Sequence, residues 1–214
     1  MLKVENISKT FFPGTVNERI ALNDVNLTLD EGDFITVIGS NGAGKSTLLN
    51  AVAGRLFVDS GNVLIDGRKV NKLPEHKRAR YVGRVFQDPL AGTAPNLTIE
   101  ENLALALLRG KGRGLGPGLT KKRRDEFVEK LRSLELGLEN RLSAKVGLLS
   151  GGQRQALSLL MAGFTNPRIM LLDEHTAALD PQRAELVTSL TERIVDEGGL
   201  TTLMVTHNME QAIR

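Results

Sequence analysis

The chain has 214 residues, 41% of them hydrophobic and 25% charged, a balance that lets a globular domain bury a sizeable core. It contains no cysteine, which excludes disulfides and thiolate metal sites, and no apolar run approaches the roughly eighteen residues that span a bilayer. The net charge of +3 permits an anionic partner without selecting one, and Met1-Leu2-Lys3-Val4-Glu5-Asn6 lacks the features of a secretory signal, so a cytoplasmic location is expected.

Leu2 to Ser8 alternates weakly and predicts a strand, Phe11-Phe12-Pro13-Gly14 a turn, and Ala21 to Leu29 a second, better strand. Phe34 to Ile38 is a short apolar strand that feeds the loop Gly39-Ser40-Asn41-Gly42-Ala43-Gly44-Lys45-Ser46-Thr47, and Lys45 to Val52 then reads as a helix stopped by Gly54. The spacing Gly-x-x-x-x-Gly-Lys-Ser between a strand and a helix is that of a phosphate-binding loop. Its glycines let successive N–H groups face one anion, and the helix start adds unpaired donors and a positive dipole end. Lys45 is expected to reach the β- and γ-phosphates and the Ser46 hydroxyl to ligate Mg²⁺. Asn62 to Asp66 and Tyr81 to Phe86 are two further short strands.

From Asp88 to about Leu149 the character becomes helical. Thr98 and Glu101 make a capping box ahead of Ile99, Leu103, Leu107 and Leu108, and a second helix is expected over Thr120 to Leu136 with Phe127, Leu131 and Leu134 inward. Arg109, Lys111, Arg113, Lys121, Lys122, Arg123 and Arg124 crowd the stretch between them. No aromatic residue interleaves with these charges, as stacking on single-stranded nucleic acid would need, so the stretch reads as a solvated loop leading into a solvated helix rather than a lipid- or nucleic-acid-binding patch.

After Ser150 helix and strand alternate again. Ile169 to Leu172 is a buried strand ending at Asp173-Glu174; Asp180 and Pro181 start a helix that Gly198-Gly199 ends; Thr201 to Thr206 is the last strand, with His207 at its exit. Ligands of open α/β sheets sit at the carboxyl ends of strands, where Gly39, Asp173 and His207 would converge. Beside a phosphate loop, Asp173 fits the role of holding Mg²⁺ and Glu174 that of the base orienting a water, although a buried strand must in any case end in something polar. Leu149-Ser150-Gly151-Gly152-Gln153 combines a Ser-x-x-Gln capping box with two glycines at a helix start, a second anion site in the same domain.

Taken together, Gly39 to Ser46, Leu149 to Gln153 and Ile169 to Glu174 resemble the nucleotide-binding subunit of ATP-binding cassette (ABC) transporters, and the resemblance runs from about Leu2 to the end of the chain. It implies an α/β fold with a P-loop NTPase core around a parallel-type sheet, an N-terminal antiparallel β subdomain and an inserted α-helical subdomain. The core would take in residues 1–87 and 150–214, and the helical subdomain 88–149, within one domain. In that family two subunits pack head to tail, so that Ser150, Gly151, Gly152 and Gln153 of one copy would close over the γ-phosphate held by the other. Gln87 looks like the loop glutamine that touches Mg²⁺ and the attacking water, Asp180 like the loop contacting the opposite site, and His207 like the switch histidine holding Glu174. Phe11 resembles the aromatic that stacks on adenine, with Phe12 the neighbour it could be confused with.

The resemblance implies ATP and Mg²⁺ as ligands, and as partners a second copy and integral membrane permease subunits, with a substrate-binding protein if the transporter imports. A cassette on its own chain leans towards an importer; an exporter, or a soluble ATPase acting on DNA or ribosomes, is the alternative. No heptad run and no second cassette support the soluble form, and the Leu-Ser-Gly-Gly-Gln pentapeptide argues against a kinase or GTPase. The protein would then lie on the inner face of the membrane through its permease, with no nucleic acid expected. Two departures stand out. His175 occupies a position where the family usually has proline, and the sequence ends seven residues past His207, short of the strand and helix that usually follow.

Overall fold

The computed structural model describes residues 1–111, 114 and 116–207. Two four-stranded sheets form its framework. One is antiparallel, built from β1 (Leu2–Phe11), β2 (Arg19–Leu29), β4 (Ser60–Ile65) and the two-residue β5 (Arg68–Lys69) in the order β2-β1-β4-β5. The other contains β3 (Phe34–Ile38), β6 (Val82–Val85), β7 (Ile169–Asp173) and β8 (Thr201–Thr206), all parallel, in the order β3-β8-β7-β6. Six α-helices accompany them among the described residues: α1 (Lys45–Ala53), α2 (Glu75–Arg78), α3 (Ile99–Leu107), α4 (Lys121–Arg132), α5 (Gly151–Gly163) and α6 (Pro181–Gly198). This is the α/β P-loop architecture with a parallel sheet and a separate antiparallel one.

The period-2 alternation of the parallel strands divides the interior. Ile169, Leu171, Leu203 and Val205 point into a cluster shared with β1, β4 and α1. Met170, Leu172 and Met204 point the other way, into a cluster that also takes Ile99 and Leu103 of α3, Phe127 and Leu131 of α4, and Leu157 and Leu160 of α5. The helices expected as an insertion thus share a core with α5, α6 and one face of the sheet. Phe127 and Phe164 meet edge to face there, 5.7 Å between ring centres.

Most element boundaries fall within two or three residues of their sequence expectation. The Thr98–Glu101 capping box forms as read, and Asp180 caps α6 with Pro181 at its first position. Phe11 belongs to β1 rather than to the turn, which begins at Phe12 with φ +51°. Within the basic stretch Lys111, Lys121, Lys122 and Arg124 are exposed, and Arg109 departs from the pattern. Arg109 is largely buried, donating to the Met161 and Ala162 carbonyls at the end of α5, and desolvation lowers its pKa. Arg124 pairs through two nitrogens with Glu100, whose carboxylate raises the guanidinium pKa. Arg113 lies outside the described residues, as does everything after His207.

One buried cation fixes the helix on which the phosphate loop rests. Arg78, 1% exposed, donates to the carbonyls of Ala51 and Val52 in the last turn of α1 and to those of Leu73 and Asn71. The Ala51 and Val52 carbonyls lie at the negative end of the α1 dipole, so the guanidinium adds a hydrogen bond to each and meets their partial charge. Desolvation still lowers its pKa to about 10.

Candidate active site

Sheet register decides what meets what. Ile38 pairs with Thr206, Asp173 with Val205 and Val85 with Leu172. The residues just beyond are Gly39 after β3, His207 after β8, Glu174 after β7 and Phe86-Gln87 after β6. Four neighbouring parallel strands therefore release their chain at one edge, each with one of the motifs singled out above.

A cavity of about 480 Å³ opens at this edge. Phe11, Asn41, Gly42, Gly44, Lys45, Ser46, Thr47, Gln87, Glu174 and His207 line it, all of them sequence candidates, together with Arg19 and Ala21. Phe12, 67% exposed, is absent from that lining, and Lys9 sits 5.9 Å over the Phe11 ring. Gly39, Ser40 and Ala43 belong to the same loop without lining the cavity; the carbonyls of Gly39 and Ser40 accept from Lys45 Nζ at 2.6 and 3.0 Å. Lys45 is 7% exposed and lies 3.8 Å from Glu174 Oε1. That carboxylate oxygen also lies 3.2 Å from His207 Nδ1.

Gly44 is the loop position at which only glycine serves. Its φ is +90°, and a Cβ there would stand 2.3 Å from the Ala21 carbonyl oxygen on β2. As the N-cap of α1 it brings no side chain to the helix start, whose donors stay available to an anion. Glu174 also has a left-handed backbone, φ +44°, while its N–H donates to Val205 at 3.0 Å. The two carboxylates diverge: Glu174 turns to Lys45 and His207, whereas Asp173 Oδ2 accepts from Arg84 at 2.7 Å. Arg84 also donates to Asn50 of α1 at 2.7 Å and lies 4.7 Å over the Phe86 ring, linking three motifs.

The remaining candidates lie elsewhere. Ser150 Oγ accepts from the Gln153 N–H at 3.3 Å and Gln153 Oε1 from the Ser150 N–H at 3.2 Å, a closed capping box. A Cβ on Gly151 would meet Leu179 at 3.4 Å and one on Gly152 Arg183 at 3.2 Å, so the starts of α5 and α6 adjoin. Asp180 caps α6 there, accepting from the Arg183 N–H at 3.1 Å. None of these five residues lines the cavity around Lys45.

Several side chains at the site carried no sequence signal. Arg19 donates to the Gly42 carbonyl at 2.7 Å from a strand distant in sequence. Arg84 reads as one basic residue in an apolar strand, and Gln155 as one polar residue in a helix. His175, the unusual neighbour of Glu174, is 4% exposed; its Nε2 lies 3.0 Å from Thr191 Oγ1, and burial lowers its pKa to about 4. Thr191 Oγ1 itself donates to the Val187 carbonyl, so His175 Nε2 carries the proton and donates.

Comparison with known proteins gives the family. The family model described as ABC transporter matches residues 22–177. The tyrosine transport ATP-binding protein of Clostridioides difficile (strain R20291) is 44% identical over 219 residues, spanning 100% of this chain and 85% of that protein. Among solved structures, a dimeric ATP-binding cassette in a post-hydrolysis state, bound to ADP and Pi, is 36% identical with a TM-score of 0.83, covering 99% of this chain and 90% of its own. A dimeric bacterial ABC transporter cassette is 35% identical with the same TM-score of 0.83, covering 100% and 90%. With this phosphate loop, these strand ends and these relatives, the chain belongs to the ABC transporter family, as an ATP-binding subunit with ATPase activity.

Proposed function

We propose that this subunit drives a separate integral membrane permease, in an importer served by a substrate-binding protein, and that it works as a head-to-tail pair of copies on the inner face of the membrane. The observation that carries this reading is the separation of two anion-binding ends. The cavity at Lys45 is lined by the phosphate loop, Gln87, Glu174 and His207, while Ser150 to Gln153 lie off that lining. A second copy supplies the missing half. The dimeric solved relatives and the relative named for tyrosine transport support pairing and transport. The helical segment 88–149 is the part offered to the permease. A groove of about 760 Å³ between it and the core, reaching Phe86 beside Gln87, suits that contact. Among the described residues no helix is long and apolar enough to cross a membrane, so the permease is a separate partner in this reading.

In the proposed mechanism Phe11 stacks on adenine, and the loop from Gly39 to Thr47 cradles the phosphates. Lys45 exchanges its two carbonyl contacts for β- and γ-phosphate oxygens. Ser46, Gln87 and Asp173 offer oxygen donors only, which suits Mg²⁺, so the residues fit that ion. Ser46 and Gln87 would hold it directly; Asp173, off the cavity lining with one oxygen on Arg84, would hold it through water. When bound, the ion would neutralise negative charge on the phosphates. Glu174 accepts the proton of the attacking water, and His207 Nδ1 orients its carboxylate. The partner copy's equivalents of Ser150 and Gly152 complete the electrostatic cage, and Asp180 beside them carries contact between the two sites.

Glu174→Gln should form stable ATP-bound dimers by size-exclusion chromatography while turnover drops by ~10³-fold. Normal turnover in that variant would show that Glu174 is not the base. Purification of the native protein should bring down an integral membrane protein; recovery with DNA or ribosomes instead would contradict the transport reading.

A further inference from the structure

The proposed nucleotide chemistry leaves Gln155 without a part. Its side chain projects from α5 into the interior and is 0% exposed. The Nε2 atom donates to two main-chain carbonyls, Phe86 at 3.0 Å and His175 at 2.6 Å. Each carbonyl belongs to the immediate neighbour of a site residue, Gln87 in the first case and Glu174 in the second. The pairing of β6 with β7 stops at Val85 and Leu172. Beyond that point the two chains diverge with no ladder to fix their spacing, and one amide nitrogen bridges them instead.

The two ends of the amide are unequally served. Gln155 Oε1 is buried and has no hydrogen-bond partner among the described residues. A buried acceptor left unsatisfied weakens the fold; an apolar side chain of the same length would avoid that cost but leave the Phe86 and His175 carbonyls without their donor. The amide's two donor bonds are what methionine would lose.

We propose that Gln155 is a positioning residue, which sets the distance between the loop carrying Gln87 and the turn carrying Glu174 and so the line of attack on the γ-phosphate. This rests on the roles given above to Gln87 and Glu174. Because α5 begins at the Ser150–Gln153 capping box, the same side chain also ties the surface offered to the second copy to this chain's own base. A shift of α5 on pairing would move both loops together.

Gln155→Met removes both donor bonds at nearly constant volume. Its kcat should fall by ~10- to 100-fold, the scale of a misplacement of about 1 Å. ATP KM and the affinity for a fluorescent ATP analogue should stay within about twofold, because ground-state binding is untouched. Thermal stability should fall modestly as the Phe86 and His175 carbonyls lose their donor, whereas a merely structural residue would show that fall with the kcat of the folded enzyme unchanged. Glu174→Gln, measured alongside, separates this proposal from the reading beneath it. Undiminished turnover in Glu174→Gln would overturn both. Loss of turnover there, with kcat within about twofold of wild type in Gln155→Met, would overturn the positioning role alone. If neither Gln155→Met nor Gln155→Leu gave folded protein, Gln155 would be structural and the proposal equally overturned.

Discussion

The beginnings of α1 and α5 are both glycine-rich helix starts, yet they are finished in opposite ways. At α5, Ser150 and Gln153 satisfy one another's main-chain donors, and Gln153 also donates to the Leu136 carbonyl. At α1, Gly44 caps with no side chain, in a left-handed conformation. The helices α3, α4, α5 and α6 each begin with a side-chain oxygen accepting a main-chain N–H, whereas α1 does not. Using glycine in place of a capping side chain costs roughly a few tenths of a kcal/mol. What is gained is a cluster of free donors aimed into the cavity at Lys45, ready for an anion. The end at α5 needs no ligand to be stable. Any anion-binding role it has depends on what a second molecule brings to it.

The comparison predicts unequal responses to the same substitution. Gly44→Ala forces a Cβ to 2.3 Å from the Ala21 carbonyl at a φ of +90°. It should lower stability by about 3 kcal/mol in denaturant unfolding and abolish ATP binding. Gly151→Ala meets only an ordinary 3.4 Å contact with Leu179. Stability there should hold or rise by about 0.5 kcal/mol, and ATP binding to the single chain should be unchanged. Equal damage at both positions would remove the distinction between the two ends.

His175 sits between them, its carbonyl on α5 and its chain neighbour the proposed base. Its ring titrates near 6.5 in the unfolded chain but only at about 4 in the folded one, because burial disfavours the cation. As pH falls through that interval, the unfolded state gains a proton that the folded state refuses, so stability is lost. Above the interval both states are neutral and the contribution is complete. The loss between pH 6.5 and 4 should be about 3 kcal/mol, and His175→Leu should show a correspondingly flatter acid limb in unfolding experiments.

The smallest expected effect is on the caps themselves. Ser150→Ala and Thr98→Ala remove the same kind of capping box from α5 and α3. Each should lower stability by about 1 kcal/mol, or Tm by about 2–4 °C. Only Ser150→Ala should also slow ATP turnover. A similar loss of turnover in Thr98→Ala would reduce the Ser150 effect to helix stability.

The contrast also marks what could be read from the residues in order. Local patterns carried the strands and long helices: the apolar run into Gly39, the boxes at Thr98 and Ser150, and the Asp-Pro start at Asp180 all act within four residues. Two short elements, β5 and α2, offered no period long enough to see. The surprises were tertiary. Arg109 looked like one charge in a basic run, but its partners are the Met161 and Ala162 carbonyls, which only folding brings near. Arg19, Arg84 and Gln155 reach the site from elements whose pattern says nothing about direction. The expected convergence of Gly39, Asp173 and His207 followed from strand ends and the pairing of His207 with Glu174 from the resemblance, whereas Arg84 on Asp173 and Gln155 beside Glu174 followed from neither.

A mixing experiment tests most directly the claim that one chain carries two halves of different sites. Lys45→Ala should lose nucleotide binding but keep an intact α5 start, and Ser150→Arg the reverse. Each alone should be inactive. Mixed in equal amounts and allowed to exchange, they should regain up to about one quarter of wild-type ATPase activity, since half of random dimers are mixed and each of those restores one complete site. A mixture no more active than its two parents would place the whole site within a single chain and contradict the account.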